Sequence, residues 1–213
     1  MKVTIPSHKI LFMPSGTEIL ENITLAGRTC YTSKKRITPD SASQFVKRTI
    51  QNNHLSVIEH ASATVKFVCD RGISHELVRH RLAAYSQEST RYVNYCNEEN
   101  EAEITVIRPL FFDLNSPMYL VWHRAMQQCE NAYISLVNMG ARPEQARCVL
   151  PNSLKTELVM TANLREWRHV LSLRCGNTSH PQMREIMIPL LRDFTVLLPA
   201  VFEDIHCMIT NNK

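Results

Sequence analysis

Residues 61 to 69 alternate without a break between an apolar set, Ala61, Ala63, Val65, Phe67 and Cys69, and a second set, Ser62, Thr64, Lys66 and Val68. A period of two places the sets on opposite faces of a strand, so one face is predicted to enter a core. Asp70-Arg71-Gly72 then turns the chain. Ile73, Leu77, His80 or Arg81, and Ala84 follow at helical spacings of three and four. Whatever the chain folds into must seat a core strand leading at once into a helix.

The last turn of that helix is expected to carry Arg79-His80-Arg81. Its period stops near Tyr85, and Ser86 to Tyr92 reads as a loop rich in donors. Arginine offers a planar fork of N–H donors that suits phosphate and the planar edges of bases. Arg79, Arg81 and Arg91, with Gln87 and Ser89, therefore make a candidate cradle for a nucleotide phosphate. The same arginines also suit a solvated helix end, where the macrodipole favours cations. His54 and His60, with Ser56 between them, precede the strand. They read either as capping or core histidines or as part of one site shared with Arg79-His80-Arg81.

Composition narrows the class. The 213 residues are 44% hydrophobic and 21% charged, ordinary for a globular protein. No apolar run approaches the ~20 residues that span a bilayer. The N-terminus shows no secretory hydrophobic region, so a cytoplasmic location and no membrane partner are expected. Seven cysteines include no Cys-x-x-Cys pair, and nine histidines include no His-x-x-x-His or His-Glu-x-x-His spacing, so no metal is expected. Sixteen arginines against eight lysines at a net charge of +4 favour oriented anion recognition over a diffuse cationic surface. With no basic tail or lysine block, no nucleic-acid partner is expected.

In chain order, residues 8–13 read as a strand. A helix follows from Glu18 to about Ala26, with Gly27 near its end, and then a loop from Arg28 to Lys34. Thr38-Pro39-Asp40-Ser41 opens a helix from Ala42 to Asn53. Cys96 to Glu103 is acidic and loop-like, and Ile104 to Ile107 is a strand. Asn115-Ser116-Pro117 starts a helix to Met139, closed by Gly140, with Met118, Val121, Trp122, Ala125, Cys129, Ala132, Tyr133 and Leu136 at core spacing. A short helix spans 144–150, a strand-like stretch 155–162, and a helix 166–173. The last helix begins at Pro181, with Pro189 and Pro199 expected to kink or interrupt it. No repeat or linker marks a boundary, so residues 1–213 read as a single domain.

Four anchors occur along the chain: His54-x-Ser56-x-x-Glu59-His60; Arg79-His80-Arg81 followed by seven residues and Ser89; Ala146-Arg147-x-Val149-Leu150-Pro151; and Asn163-x-Arg165 with Leu173-Arg174. In this order they resemble the flavin-dependent thymidylate synthases, the ThyX family. The resemblance covers the chain from roughly Ala26 to the last helix. It implies an α+β, ThyX-type fold, with a β-sheet packed with long helices. The assembly implied is a homotetramer whose active sites are shared between subunits. The implied reaction converts dUMP to dTMP, with a methylene group from 5,10-methylenetetrahydrofolate and hydride from NADPH through FAD.

By position, the resemblance assigns Ser56, Arg79, His80, Arg81, Gln87, Asn163, Leu164, Arg165 and His169 to FAD. It assigns Glu76, Leu77, Val78, Arg79, Gln87, Glu88, Ser89, Thr90, Arg91, Arg147 and Arg174 to dUMP. His54, at the flavin edge, and Arg174, near the uracil N3 and O4, carry the catalytic assignments. Glu76 stands where some family members have glutamine, and His169 where others have asparagine. Uracil C5 is a poor nucleophile until negative charge builds on the ring, and a guanidinium at N3 and O4 would stabilise that charge. The alternative is a non-catalytic nucleotide- or nucleic-acid-binding module using the same arginines. A third reading is a helical interaction protein with surface arginines.

Overall fold

The structure, a computed structural model, describes residues 1–29, 37–97 and 103–211. Two short strands come first, β1 (Lys2–Thr4) and β2 (Ser7–Phe12), then helices α1 (Gly16–Thr29) and α2 (Pro39–Gln51). A 3-10 turn, Leu55–His60, leads into β3 (Ser62–Asp70), α3 (Arg71–Leu77), β4 (Ala83–Gln87) and β5 (Thr105–Ile107). The rest is α4 (Pro117–Asn138), α5 (Pro143–Ala146), a 3-10 turn at Arg147–Val149, β6 (Lys155–Asn163), α6 (Leu164–Arg174), α7 (Pro181–Leu197) and α8 (Pro199–Asn211). The fold is α+β, as expected. Among the described residues, β1 and β5 pair in parallel, and a four-stranded sheet runs in the order β2-β3-β6-β4.

The chain forms two compact units. The first holds Met1–Ser7, Phe67–Arg79 and Ser86–Val159, and the second His8–Lys66, His80–Tyr85 and Met160–Lys213. The first unit centres on Tyr95, Ile104, Val106, Met126, Tyr133, Ala146 and Leu154. Tyr95 and Tyr133 meet edge-to-face at 5.6 Å. A buried acid, Glu130 on α4, accepts from the Ile104 N–H at 3.0 Å and from Gln127 Nε2. The second unit packs Trp167 of α6 edge-to-face on Phe194 of α7 at 5.4 Å, with Phe202 of α8 beyond. Trp167 Nε1 donates to the Ala63 carbonyl at 3.0 Å, which satisfies the indole inside the core.

The alternation in β3 is borne out: Ala61, Ala63, Val65, Phe67 and Cys69 are all buried. β6 shows the same alternation, burying Thr156, Leu158, Met160 and Ala162. The start signal of α2 is a capping box. Thr38 Oγ1 accepts from the Ser41 N–H, and Ser41 Oγ accepts from the Thr38 N–H. Ser116 caps α4, and Gly140 at φ +94° closes it.

Four expectations are corrected. The helix after Asp70 ends at Leu77, where the Val78 N–H closes on the Ser74 carbonyl. Arg79-His80-Arg81 therefore lies in a turn, and Ala83–Gln87 is strand rather than a helix end running into a loop. The Glu88 N–H, bonded to the Glu157 carbonyl at 2.9 Å, draws this segment onto β6, and cross-strand pairing overrides the helical spacing. Helix α1 runs on to Thr29, past Gly27. A Cβ on Gly27 would come within 2.5 Å of the Phe45 ring, so this glycine serves a close approach of α1 to α2, not a helix stop. The expected loop residues 30–34 lie outside the described residues, as does most of the expected acidic loop, 98–102. The helix expected over 144–150 is only α5 followed by the 3-10 turn. Met118 and Val121, expected in the core, are 60% and 68% exposed. Pro199 does break the last helix, separating α7 from α8, whereas Pro189 stays inside α7.

Candidate active site

The residues expected in a site fall into two groups, one in each unit. In the second unit, α6 presents Glu166, His169 and Arg174, and the turn after α3 supplies His80. Arg174 Nε donates to His80 Nε2 at 2.9 Å. His80 Nδ1 lies 3.4 Å from Glu166 Oε1, and both side chains are almost excluded from water. The His169 ring meets His80 edge-to-face at 5.6 Å. The Tyr85 hydroxyl donates to the His80 carbonyl at 2.8 Å and so holds the turn.

Burial, then the neighbouring Arg174 cation, then His169, bring His80 down from 6.5 to about 4. At neutral pH the ring is uncharged, so its 3.4 Å approach to Glu166 is not an ion pair. Burial and the Glu166 charge push the Tyr85 hydroxyl up to about 12, against the pull of Arg174. Ligand atoms of His80, Glu166 and His169 lie within 4.8 Å of one another, a spacing that can hold a metal ion. Here Arg174 already occupies the His80 Nε2 lone pair, and a guanidinium stands where a cation would be needed.

Other assigned residues of this unit take mixed positions. Asn163 caps α6, its Oδ1 accepting from the Glu166 N–H at 2.9 Å. Leu164 is fully buried and its N–H bonds the Ala61 carbonyl. Arg165 Nη1 pairs with Glu59 Oε1 at 2.6 Å on the surface. Arg81 is exposed. His54 and Ser56 share a cavity of about 520 Å³ with Phe45, Arg48, Thr49 and Asn52.

In the first unit, Leu77 is buried in the core, Glu76 and Val78 are half-buried and Arg79 is exposed. Gln87 Nε2 donates to Ser74 Oγ at 2.8 Å and Thr156 Oγ1 at 3.3 Å. Glu88 Oε2 accepts from Lys155 Nζ at 3.0 Å and from the Glu157 N–H at 3.2 Å. Burial opposes the charge on Lys155, but the bonds and charges of Glu88 and Glu157 outweigh it and hold the ammonium above its usual range. Arg147 Nη1 reaches Thr90 Oγ1 at 3.4 Å. Arg91 is exposed, stacked 5.6 Å from the Tyr92 ring, with its backbone N–H on Ser89 Oγ.

Sequence reasoning missed Glu166, Tyr85 and Lys155. Glu166 had a signal: it precedes His169 by three residues and Arg174 by eight, all on one helical face. Tyr85 and Lys155 had none, because their contacts depend on the turn at His80 and on the pairing of Glu88 with Glu157.

Comparison with known proteins bears out the family resemblance. The chain matches the family described as thymidylate synthase complementing protein over residues 15–200. A flavin-dependent thymidylate synthase of Geobacter sulfurreducens is 34% identical over 189 residues, covering 85% of this chain and 80% of that protein. One from Pyrococcus furiosus is 34% identical over 181 residues, covering 82% and 73%. The crystal structure of the UMP/dUMP methylase PolB from Streptomyces cacaoi, bound with 5-Br UMP, shares the fold. Its TM-score is 0.77 at 19% identity, covering 97% of this chain and 96% of that one. With a match across most of its length and relatives above 30% identity, this chain belongs to the thymidylate synthase complementing protein family.

Proposed function

We propose that this chain is a flavin-dependent thymidylate synthase, methylating dUMP to dTMP with 5,10-methylenetetrahydrofolate as one-carbon donor and NADPH as reductant. The observation that carries the reading is the signature Arg79-His80-Arg81 to Ser89 with its histidine bonded to Arg174 inside a family match spanning residues 15–200. The relatives' names support both the reaction and the flavin. The chain acts as one catalytic domain in the cytoplasm, and no described helix is long and apolar enough to cross a membrane.

The residues fit FAD by their chemistry. Its pyrophosphate needs cations and donors, and Arg79, Arg81 and Arg165 are exposed to supply them. His54 and Ser56 sit at a cavity of mixed polarity, suited to a flat ring with polar edges. Gln87, His80, Asn163, Leu164 and His169 complete the proposed set. When bound, FAD supplies the hydride chemistry that no side chain can perform.

The protein's own groups bind and polarise dUMP. Arg91, Arg147, Ser89 and Thr90 hold the phosphate, with Gln87 and Glu88 ordering the strand end that precedes them. Glu76, Leu77, Val78 and Arg79 are the remaining residues proposed for dUMP. Arg174 stabilises charge developing on the uracil ring. Among the described residues, the buried thiols Cys69 and Cys175 are poor nucleophiles, because burial pushes both up to about 12. The working form is a homotetramer with shared sites. Leu110, Phe111, Leu114, Met118, Leu120 and Val121 are exposed in the single chain, an apolar run that needs cover.

The test is the absorbance spectrum of the purified protein, titrated with dUMP. A flavin band perturbed by dUMP supports the proposal. A colourless protein that FAD cannot reconstitute overturns it and returns the arginines to a binding module.

A further inference from the structure

We propose that Glu166 is a positioning residue that orients Arg174 through His80, by selecting the tautomer of the imidazole. The inference rests on the function proposed above, in which Arg174 polarises the uracil ring. Arg174 Nε carries a hydrogen and no lone pair, so at 2.9 Å from His80 Nε2 it can only donate. The ring nitrogen must then be unprotonated, and a neutral imidazole of that form carries its hydrogen on Nδ1. Nδ1 faces Glu166 Oε1 at 3.4 Å, with the two side chains 5% and 8% exposed. The buried carboxylate favours the hydrogen on that nitrogen, and so supports the tautomer that offers Arg174 its acceptor.

A guanidinium is planar, so fixing Nε and its N–H direction fixes the plane in which the Nη groups lie. The other parts of the device are stiff. Glu166 and Arg174 stand on one helix, α6, and the Tyr85 hydroxyl pins the His80 carbonyl at 2.8 Å. An acid in the first turn of a helix can also serve the macrodipole, but that role needs only an exposed side chain. Glu166 is 6% exposed and directed at an imidazole.

The experiment is nitrogen NMR of histidine-labelled protein, beside steady-state kinetics, for wild type, Glu166→Gln and Glu166→Leu. In wild type, His80 should carry its hydrogen on Nδ1. Glu166→Gln keeps an acceptor oxygen without its charge and should lower kcat roughly 10-fold. Glu166→Leu removes the acceptor and should shift His80 towards the Nε2–H form, with kcat roughly 100-fold lower, the range seen when an outer partner of a working ligand is lost. The dUMP KM should stay within about threefold in both, because the interaction at stake strengthens only as ring charge develops.

A wild-type His80 protonated on Nε2 overturns the proposal. So does a folded Glu166→Leu protein with unchanged tautomer and kcat; if that variant does not fold, an unchanged Glu166→Gln decides the same way. A wild type that lacks dUMP methylation yet shows Nδ1–H on His80 would instead sink the functional reading and leave the positioning of Arg174 standing.

Discussion

Arg147 in the first unit and Arg174 in the second each donate to a neutral acceptor, yet their surroundings differ. Arg147 is exposed and reaches Thr90 through a terminal Nη1 at 3.4 Å. Arg174 is half-buried and anchored through Nε at 2.9 Å to a ring that is itself buried and held by Glu166. A terminal contact at the surface leaves a guanidinium able to swing onto an incoming phosphate. An Nε anchor in a drier place fixes its plane before substrate arrives, which suits stabilisation of charge that appears only during reaction. In the proposed function, the first arrangement grips the phosphate and the second polarises the ring.

The strongest way to break this comparison is Arg174→Ala. It should lower kcat by about 10²–10³-fold, with a smaller change in dUMP affinity. A variant that loses binding but keeps kcat would make the two arginines equivalent. Next comes Arg147→Ala, which should weaken the dUMP Kd by roughly 10–100-fold, the worth of a charge-assisted hydrogen bond of about 1.5–3 kcal/mol, with kcat largely kept. Calorimetric titration checks it.

Acid sharpens the contrast further. His80 is brought down from 6.5 to about 4 by burial and its neighbours, so between those values the unfolded chain binds the proton and the folded one does not. The stability linked to this group is therefore complete above pH 6.5 and is lost as pH falls towards 4. Denaturant unfolding of wild type against His80→Gln across that window should show a steeper loss in wild type. A parallel dependence in both would mean that His80 titrates normally.

Smaller effects follow at the N-terminus of α6. Asn163→Ala removes the cap on Glu166 and should cost about 1 kcal/mol in thermal unfolding. If it also lowers kcat, the cap is tuning the Glu166 carboxylate as well as the helix. Arg165→Ala breaks the surface pair with Glu59 and should cost only about 0.2–1 kcal/mol, vanishing at high salt, while weakening FAD binding. Loss of stability without loss of flavin affinity would reassign Arg165 to the scaffold.

Much of this architecture was legible because local rules governed it. The period of β3, the capping box of α2, the Ser116 cap and Gly140 are readable from neighbours within a few residues. The family anchors pointed to the family for the same reason: they are short strings at fixed spacing. Where local signals competed with distant ones, the distant ones won. Ile73, Leu77, His80 and Ala84 have helical spacing, but Ala83–Gln87 is strand because β6 offers it a partner. Gly27 reads as a helix stop, but it is there because Phe45 comes close. The apolar stripe of α4 reads as core, yet the single chain leaves Met118 and Val121 exposed, since periodicity cannot tell what covers a face.

The sequence by itself determined the family and the α+β class, because these depend on short patterns and on side-chain chemistry. Tertiary structure alone decided that His80 is neutral, that Glu166 faces it, and that Arg174 is held by Nε. Those facts depend on burial and on contacts spanning more than eighty residues of chain, and no local pattern encodes a proton's place on a ring.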